Sequence, residues 1–395
     1  MNRKAVVVIS LLTAACLLGD SMLYIVLPIH FQSAGLNSLW EVGVLLSVNR
    51  LVRLPLNPLV GWLYGRMSSR SGVLFAGVLA VGTTLSYGFC QGFAAWLLLR
   101  CLWGVAWTFL RLGAYFTILN VSGETNRGYY MGLYNGLYRL GSLGGMLAGG
   151  YLADQFGLST TAMFFSALTL LALPFAFRLI PASVSHGQTE QASSGLGVGW
   201  REAGVFWPLF TGLVIAMAYQ GVFVSTLSHL IEAHYAPVVS VAGIALGAAS
   251  LAGVLQAMRW GWEPWLAPWI GHLSDGQGGR RRLLIGALVA AAGFLSLLAA
   301  PLPLGVWLLL IIGVLLTATA LTTLADAVAC DAAVGRPQKA FMTAYSFSID
   351  IGAALGPMTA FSLNSVCGPY AVYWLLAALL LLLALKWTFR SPLTP

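Results

Sequence analysis

Apolar runs of about 20 residues recur along the whole sequence, separated by short polar breaks, and this spacing constrains the fold more than any single motif. A helix rising about 1.5 Å per residue needs roughly that length to cross a hydrocarbon layer ~30 Å thick. Inside such a layer no water satisfies the backbone N–H and C=O groups, so a spanning segment must bond to itself as a helix or close into a barrel. Barrel strands are about 10 residues long, which these runs exceed twofold. Of 395 residues 59% are hydrophobic and 8% charged, against about 25% charged in an ordinary soluble domain. The sequence therefore predicts an all-α, polytopic membrane protein.

Twelve spans can be drawn: 5–29, 40–64, 72–92, 95–119, 129–153, 160–180, 204–230, 239–263, 282–300, 304–327, 341–363 and 369–389. The one long polar break, 181–203, is rich in Ser, Gly and Gln and reads as a flexible linker. It separates an N-terminal six-helix bundle, 1–180, from a C-terminal six-helix bundle, 204–395. The halves resemble each other. At an offset of 210 residues, Pro58-Leu-Val-Gly61-Trp-Leu63 aligns with Pro268-Trp-Ile-Gly271-His-Leu273. At an offset of 211, Arg139-Leu-Gly141 aligns with Asp350-Ile-Gly352 and Tyr134 with Tyr345; at an offset of 200, Asp20 falls opposite Gln220. Matches in the same order with nearly equal offsets predict a duplicated six-helix unit, hence two pseudo-symmetric bundles.

The net charge of +8 does not signal nucleic acid, because of where the charges fall. Fourteen of the twenty Lys/Arg residues, among them Arg3, Arg66, Arg70, Arg178, Arg280, Arg281 and Lys386, lie in or beside segments on one side of the membrane. The opposite loops contain none, which places both termini in the cytoplasm. The first run follows only two basic residues and is too long for a signal-peptide core, so it reads as a retained first helix. The five cysteines show no metal spacing. Cys90 and Cys101 flank one outer loop and read as ordinary buried thiols rather than a disulfide.

The remaining six basic residues are all arginines inside spans: Arg50, Arg53, Arg100, Arg111, Arg139 and Arg259. A guanidinium at bilayer depth costs from about 2.5 to over 10 kcal/mol and cannot lose its proton. Such a charge needs a wet cavity, a partner or a substrate. Asp20 is the single well-buried acid in the first half, against five arginines. That surplus suits an anion, with Arg50, Arg111 and Arg139 as candidate contacts and Tyr134, Tyr138 and Tyr345 as aromatic neighbours for an organic ligand. Arg100 lies near an outer end, where a structural tie to Asp20 or to backbone carbonyls competes evenly with a functional role. Proton coupling requires a group that titrates, and Asp20 and Asp350 are the first candidates. Glu263 reads as an ion-pair partner of Arg259, and Asp326 as a residue that caps or pairs locally. No phosphate-binding loop occurs, so ATP is not the energy source. No cofactor, metal or hydrolytic constellation is present in the sequence, and an enzyme is not expected.

Gly61-Trp-Leu-Tyr-Gly65-Arg66-Met-Ser-Ser-Arg70 resembles the signature Gly-x-x-x-Asp-Arg of the major facilitator superfamily, with Gly65 in place of the Asp. Its symmetric copy, Gly271-His-Leu-Ser-Asp275 leading to Gly279-Arg280-Arg281-Arg282, keeps the carboxylate. Arg100-Cys-Leu-Trp-Gly104 resembles the Arg-x-x-x-Gly signature of proton-coupled members, and Gly141-Ser-Leu-Gly144-Gly145 a glycine-rich exporter signature without its Gly-Pro pair. The resemblance spans the whole chain. It implies a secondary transporter in the cytoplasmic (inner) membrane, working by alternating access; nothing in the sequence demands an oligomer, so a monomer is expected. Gly61, Arg66, Arg100, Gly104, Gly271, Asp275 and Arg280 would then serve gating. Its partners would be a small-molecule substrate, protons and the lipid bilayer, with no nucleic acid. The leading reading is a proton-coupled carrier of an anionic or zwitterionic organic solute. The alternatives are a proton-driven exporter of lipophilic compounds and a non-transporting scaffold or sensor on the same fold. Topology is checked in a chain whose five cysteines are replaced by Ser. An impermeant thiol reagent on intact cells labels Asn37→Cys, and Ser194→Cys reacts only after permeabilisation; the opposite pattern inverts the topology.

Overall fold

The computed structural model describes residues 2–121, 127–180, 203–241, 244–274, 279–333 and 338–389. These are almost entirely helical. The helices are α1 (Asn2–His30), α2 (Leu39–Tyr64), α3 (Ser69–Ser86), α4 (Phe93–Val121), α5 (Arg127–Leu179), α6 (Ala203–Ala216), α7 (Val224–His234), α8 (Ala248–Ser274), α9 (Gly279–Leu297), α10 (Leu304–Ala333), α11 (Gln338–Cys367) and α12 (Ala371–Phe389). Among the described residues, six segments are long and apolar enough to cross a membrane: Arg3–Ala34, Phe93–Ile118, Gly136–Leu179, Gly204–His234, Leu304–Ala329 and Ala371–Phe389.

One break agrees with the segmentation read off the sequence, and two places depart from it. The expected spans 129–153 and 160–180 are the two helical arms of α5, which is kinked between them at Gly157, whose φ of 80° is a value open to glycine. The span expected at 239–263 starts later. Val238–Val241 and Ile244–Gly247 pair as antiparallel strands β1 and β2, and α8 begins only at Ala248. The β-branched run Val238-Val239-Ser240-Val241 favours the extended backbone there. Between α6 and α7 the helix widens to a π segment, Met217–Phe223.

The chain divides into two compact units, Met1–Glu190 with Leu227–Ala257, and Gln191–Thr226 with Met258–Pro395. In the first, α1 to α5 share a core centred on Tyr64, Phe109, Leu110, Trp103 and Ile118. The buried Tyr64 ring lies 5.6 Å from Phe109 and 5.3 Å from Phe116, and its hydroxyl donates to the Phe109 carbonyl at 2.7 Å. In the second, Val205, Leu209, Ala329, Phe341 and Tyr345 bring α6, α10 and α11 together.

Each unit repeats two contacts of the other. Gly141 of α5 lies on the backbone of α1 so closely that a Cβ would overlap the Ala14 carbonyl; Gly352 of α11 lies the same way on the Leu213 carbonyl of α6. Small residues of this kind let membrane helices meet backbone to backbone. Likewise the Arg70 Nε donates to the Ile180 carbonyl at 2.6 Å, past the end of α5. The Arg281 Nε and Nη2 donate to the Trp387 and Thr388 carbonyls at 2.7 and 2.6 Å, at the end of α12. A helix C-terminus leaves carbonyls without intrahelical partners and carries the negative end of the dipole, so an arginine satisfies both. Both equivalences fall at the offset of 211 seen between the sequence halves. Gly141→Leu and Gly352→Leu should each cost about 1–3 kcal/mol or more through overpacking, whereas Gly82→Leu, with nothing within 4 Å of its Cβ position, should leave stability unchanged. Thermal unfolding in detergent checks the three.

Candidate functional site

The first unit holds a charge pair away from solvent. Arg100 of α4 is 0% exposed, and its Nη1 donates to Asp20 Oδ1 of α1 at 2.5 Å. The guanidinium Nε donates to the Leu45 carbonyl of α2 at 3.0 Å, and Asn49 Nδ2 donates to the same Asp20 oxygen at 3.3 Å. Gly104, one turn further along α4, makes this reach possible, since a Cβ there would lie 2.8 Å from the Asn49 carbonyl. The Arg-x-x-x-Gly spacing thus has a local meaning. Glycine lets α2 approach α4, and arginine then reaches across α2 to α1. Removing one partner of such a pair leaves a charge buried alone and costs about 3–5 kcal/mol.

The Arg50 Nε donates to the Tyr24 hydroxyl at 3.4 Å, and that hydroxyl donates to the Leu46 carbonyl at 3.4 Å. From Arg53 a continuous row of rings crosses to Arg111. The Arg53 guanidinium lies 5.3 Å from the Trp107 ring, Trp107 meets Tyr138 edge-on at 5.9 Å, and Tyr138 lies 5.0 Å from Tyr134. Tyr134 is 6.1 Å from Tyr115, whose hydroxyl accepts from the Arg111 Nε at 3.2 Å. Cations and aromatic faces at these separations attract by roughly 0.5–2 kcal/mol. Arg50, Arg53, Arg111, Trp107, Tyr115 and Tyr138 are half-buried, and Tyr134 is buried at 1% exposure. The structure therefore brings Arg111, Tyr134 and Tyr138 together and sets Arg50 beside the Asp20–Arg100 pair. Arg139 is exposed and sits one residue, about 100° of helix, past Tyr138. Arg53 and Trp107 complete the row, although neither stood among the candidate binding residues; the i, i+3 spacing of Arg53 from Arg50 was the available signal.

In the second unit the Tyr345 hydroxyl donates to Asp326 Oδ1 at 2.8 Å, with its ring buried in the α6–α10–α11 core. Asp350 is half-buried on α11. Arg259 of α8 is buried at 3% exposure and within Coulombic reach of Tyr219, whose hydroxyl shares a 3.0 Å hydrogen bond with Thr317. Tyr219 lies in the π segment, a feature often found at functional sites. Of the motif residues, the Arg66 guanidinium stacks 3.8 Å above Trp62, and Arg280 Nη1 donates to both oxygens of Asp331 at 2.6 Å. Nothing lies within 4 Å of a Cβ at Gly61 or Gly271. Asp275 lies outside the described residues.

A second polar cluster of the first unit escaped sequence reading. Asp154 Oδ2 accepts from the Ser250 backbone N–H at 2.8 Å and from its hydroxyl at 2.5 Å, while Oδ1 lies 3.7 Å from His30 Nε2. A carboxylate thus caps the positive end of α8 from α5. Three positions, His30, Asp154 and Ser250, scattered over 220 residues carry no common spacing, so no sequence signal joins them. Among the described residues, no group of three or more His, Cys, Asp or Glu could hold a metal ion.

Comparison with known proteins agrees with this architecture. Over 193 residues the chain is 28% identical to an uncharacterized MFS-type transporter of Methanocaldococcus jannaschii, a match spanning 48% of this chain and 49% of that relative. The chain thus matches about half the length of that relative. Two solved structures share the fold over nearly their whole lengths. One is a POT family transporter in complex with a thioalcohol-conjugated peptide, with 12% identity, TM-score 0.75, and 96% of this chain and 94% of that one covered. The other is the nucleoside transporter NupG, with 14% identity, TM-score 0.75, and 98% of each chain covered. The family model described as Major Facilitator Superfamily matches residues 9–263, more than half of the sequence, and this multi-pass membrane protein belongs to that superfamily.

Proposed function

We propose that the protein is a secondary active transporter of a small anionic or zwitterionic organic solute, coupled to protons. It resides in the cytoplasmic membrane with both termini inside. Two six-helix bundles, 1–180 and 204–395, would exchange access to a site at mid-membrane. The observation that carries the solute class is the row of half-buried arginines and aromatic rings from Arg53 to Arg111. Arginine presents a planar fork of donors that fits a carboxylate or phosphate in bidentate fashion, and the rings offer an apolar face to an organic skeleton. In this reading Arg50, Arg111 and Arg139 attract the solute, and Tyr134 and Tyr138 shape its pocket, with Tyr345 as the symmetric counterpart. The first half's single deep acid faces Arg100 and Asn49. Related folds serve a peptide-bound transporter and a nucleoside transporter, so the side chains, rather than the fold, set the solute.

Asp20 and Asp350 are the groups proposed to carry protons. Protonating Asp20 removes the charge that holds Arg100, freeing α4 to shift against α1 and α2. Gly61, Arg66, Gly271, Asp275 and Arg280 would act at the loops that open and close. The aromatic row would also accept a lipophilic compound, which keeps the exporter reading as the rival, but a wall of guanidinium groups repels cations.

Flux into proteoliposomes under an imposed pH gradient, with a panel of organic anions set against lipophilic cations, decides between the two. Anions should move and cations should not. Arg111→Ala should lower anion flux at least ~10-fold in protein that still folds, the scale of a lost charge-assisted contact. Unchanged flux in Arg50→Ala, Arg111→Ala and Arg139→Ala alike would sink the proposal. A second expectation concerns the tie. Asp20→Ala should lose about 3–5 kcal/mol of stability by leaving Arg100 alone, and the double variant Asp20→Leu with Arg100→Met should regain most of it; thermal unfolding of the three proteins checks this.

A further inference from the structure

Helix α8 begins without a capping side chain of its own. The residue before it is Gly247, which has nothing to offer the first N–H groups of the helix, and those groups lack intrahelical partners. Asp154 of α5 takes that place. Its Oδ2 accepts from the Ser250 backbone N–H at 2.8 Å and from the Ser250 hydroxyl at 2.5 Å. A Cβ on Gly247 would overlap this carboxylate, so the glycine also makes the room that Asp154 occupies. The group that completes one helix is therefore a tie between two.

The tie closes a seam. Gly150 of α5 lies on the Ala249 carbonyl, and further along α8 Gly253 lies on the Met146 carbonyl, each so closely that a Cβ would overlap the oxygen. Falling residue numbers on α5 meet rising numbers on α8, so the two helices run antiparallel with glycine on both sides of the contact. Met146 is buried at 5% exposure. The polar end of the seam faces a cavity of about 240 Å³, lined by His30, Phe156 and Gly157 among others. That volume holds several waters, each taking about 30 Å³ in the liquid. His30, the last residue of α1, brings its Nε2 to 3.7 Å from Asp154 Oδ1. The kink at Gly157 comes three residues after Asp154, and α8 starts two residues before Ser250. Ends of α1, α8 and the first arm of α5 thus gather at one face of the unit, which is the outer face when both termini are inside.

We propose that Asp154 is the latch of an outer gate, and that the gate is the seam between α5 and α8. The inference rests on the alternating-access reading given above. With the gate shut, the carboxylate holds Ser250 and the seam is dry at Met146. To open it, the Ser250 N–H and hydroxyl exchange Asp154 for water from the cavity, and α8 parts from α5. The glycines bring no side chains to interlock across the seam, so the two bonds to a charged acceptor carry the closure. His30 steadies the other carboxylate oxygen. Asp154 acts here as a positioning residue for α8.

The test reads the gate directly, so the transported solute need not be known. In the chain with all five cysteines replaced by Ser, an impermeant thiol reagent is added to intact cells in which Asn37→Cys reacts. Met146→Cys should label slowly but to completion, because an alternating carrier visits its outward-open state. Adding Asp154→Ala should speed that labelling at least ~10-fold, the scale of a lost charge-assisted hydrogen bond. Asp154→Asn, whose side-chain oxygen still accepts from Ser250, should stay nearer the native rate. Ala80→Cys, in the core of the same unit, should remain unlabelled with and without Asp154→Ala. A native rate for Met146→Cys in folded Asp154→Ala overturns the latch and leaves alternating access standing. Labelling of Ala80→Cys in step with Met146→Cys also overturns it, since the whole unit would then have loosened. If Asp154→Ala does not fold, an unchanged rate in Ser250→Ala, which loses the hydroxyl alone, counts equally against it. Met146→Cys that never reacts in any folded variant refutes the outward opening itself, and the latch with it.

Discussion

A guanidinium without solvent must find its anion inside the protein, and the pairing of Arg100 with Asp20 is the constraint around which the first unit is arranged. Three helices converge on it. Gly104 lets α2 come close, the Leu45 carbonyl and Asn49 each add a hydrogen bond to the pair, and Tyr24 and Arg50 build outward from the same point. Such a pair adds little to stability against an apolar replacement, yet it is intolerant of losing either member. That intolerance would give it a use in the alternating-access cycle proposed above. Under the proposed coupling, a single proton on Asp20 would convert a fixed contact into an uncompensated charge, a difference large enough to shift a two-state equilibrium by orders of magnitude.

Much of the architecture was legible in the sequence because membranes reward simple patterns. Long apolar runs pointed to helices, and Pro, Gly and Tyr recurring at an offset near 211 residues pointed to a duplicated unit. The structure adds physical reasons for that recurrence: Gly141 and Gly352 each press on a neighbouring backbone, and Arg70 and Arg281 each close a helix end. The sequence placed those arginines only on one side of the membrane. Nothing in the local sequence marks a carbonyl 110 residues away as their partner.

The candidate site was legible only in part, for a similar reason. Residue type and depth singled out Arg100, Asp20, Arg111, Tyr134 and Tyr138, since charge at bilayer depth is rare. Pairing is a three-dimensional property. Which arginine takes Asp20, how Trp107 bridges Arg53 to Tyr138, and why Tyr345 turns to Asp326 all depend on helix rotation, which hydropathy does not encode. The clearest omissions were at helix ends, where His30, Asp154 and Ser250 meet. A lone acid near a loop looks solvated in sequence and becomes a helix cap only when another helix starts beside it.

The π segment Met217–Phe223 has a consequence of another kind. Each residue in a helix turns the chain by about 100°, so a widened turn shifts every later side chain around the axis. Thr226, three residues beyond it, shares a 2.6 Å hydrogen bond with Tyr373, and Gly221 within it abuts Gly356. Shortening this stretch by one residue would restore a regular helix and rotate Thr226 away from its partner. Here the number of residues, more than the identity of any one of them, sets the geometry, and a lineage that acquired the extra residue could not shed it without repacking two helices at once.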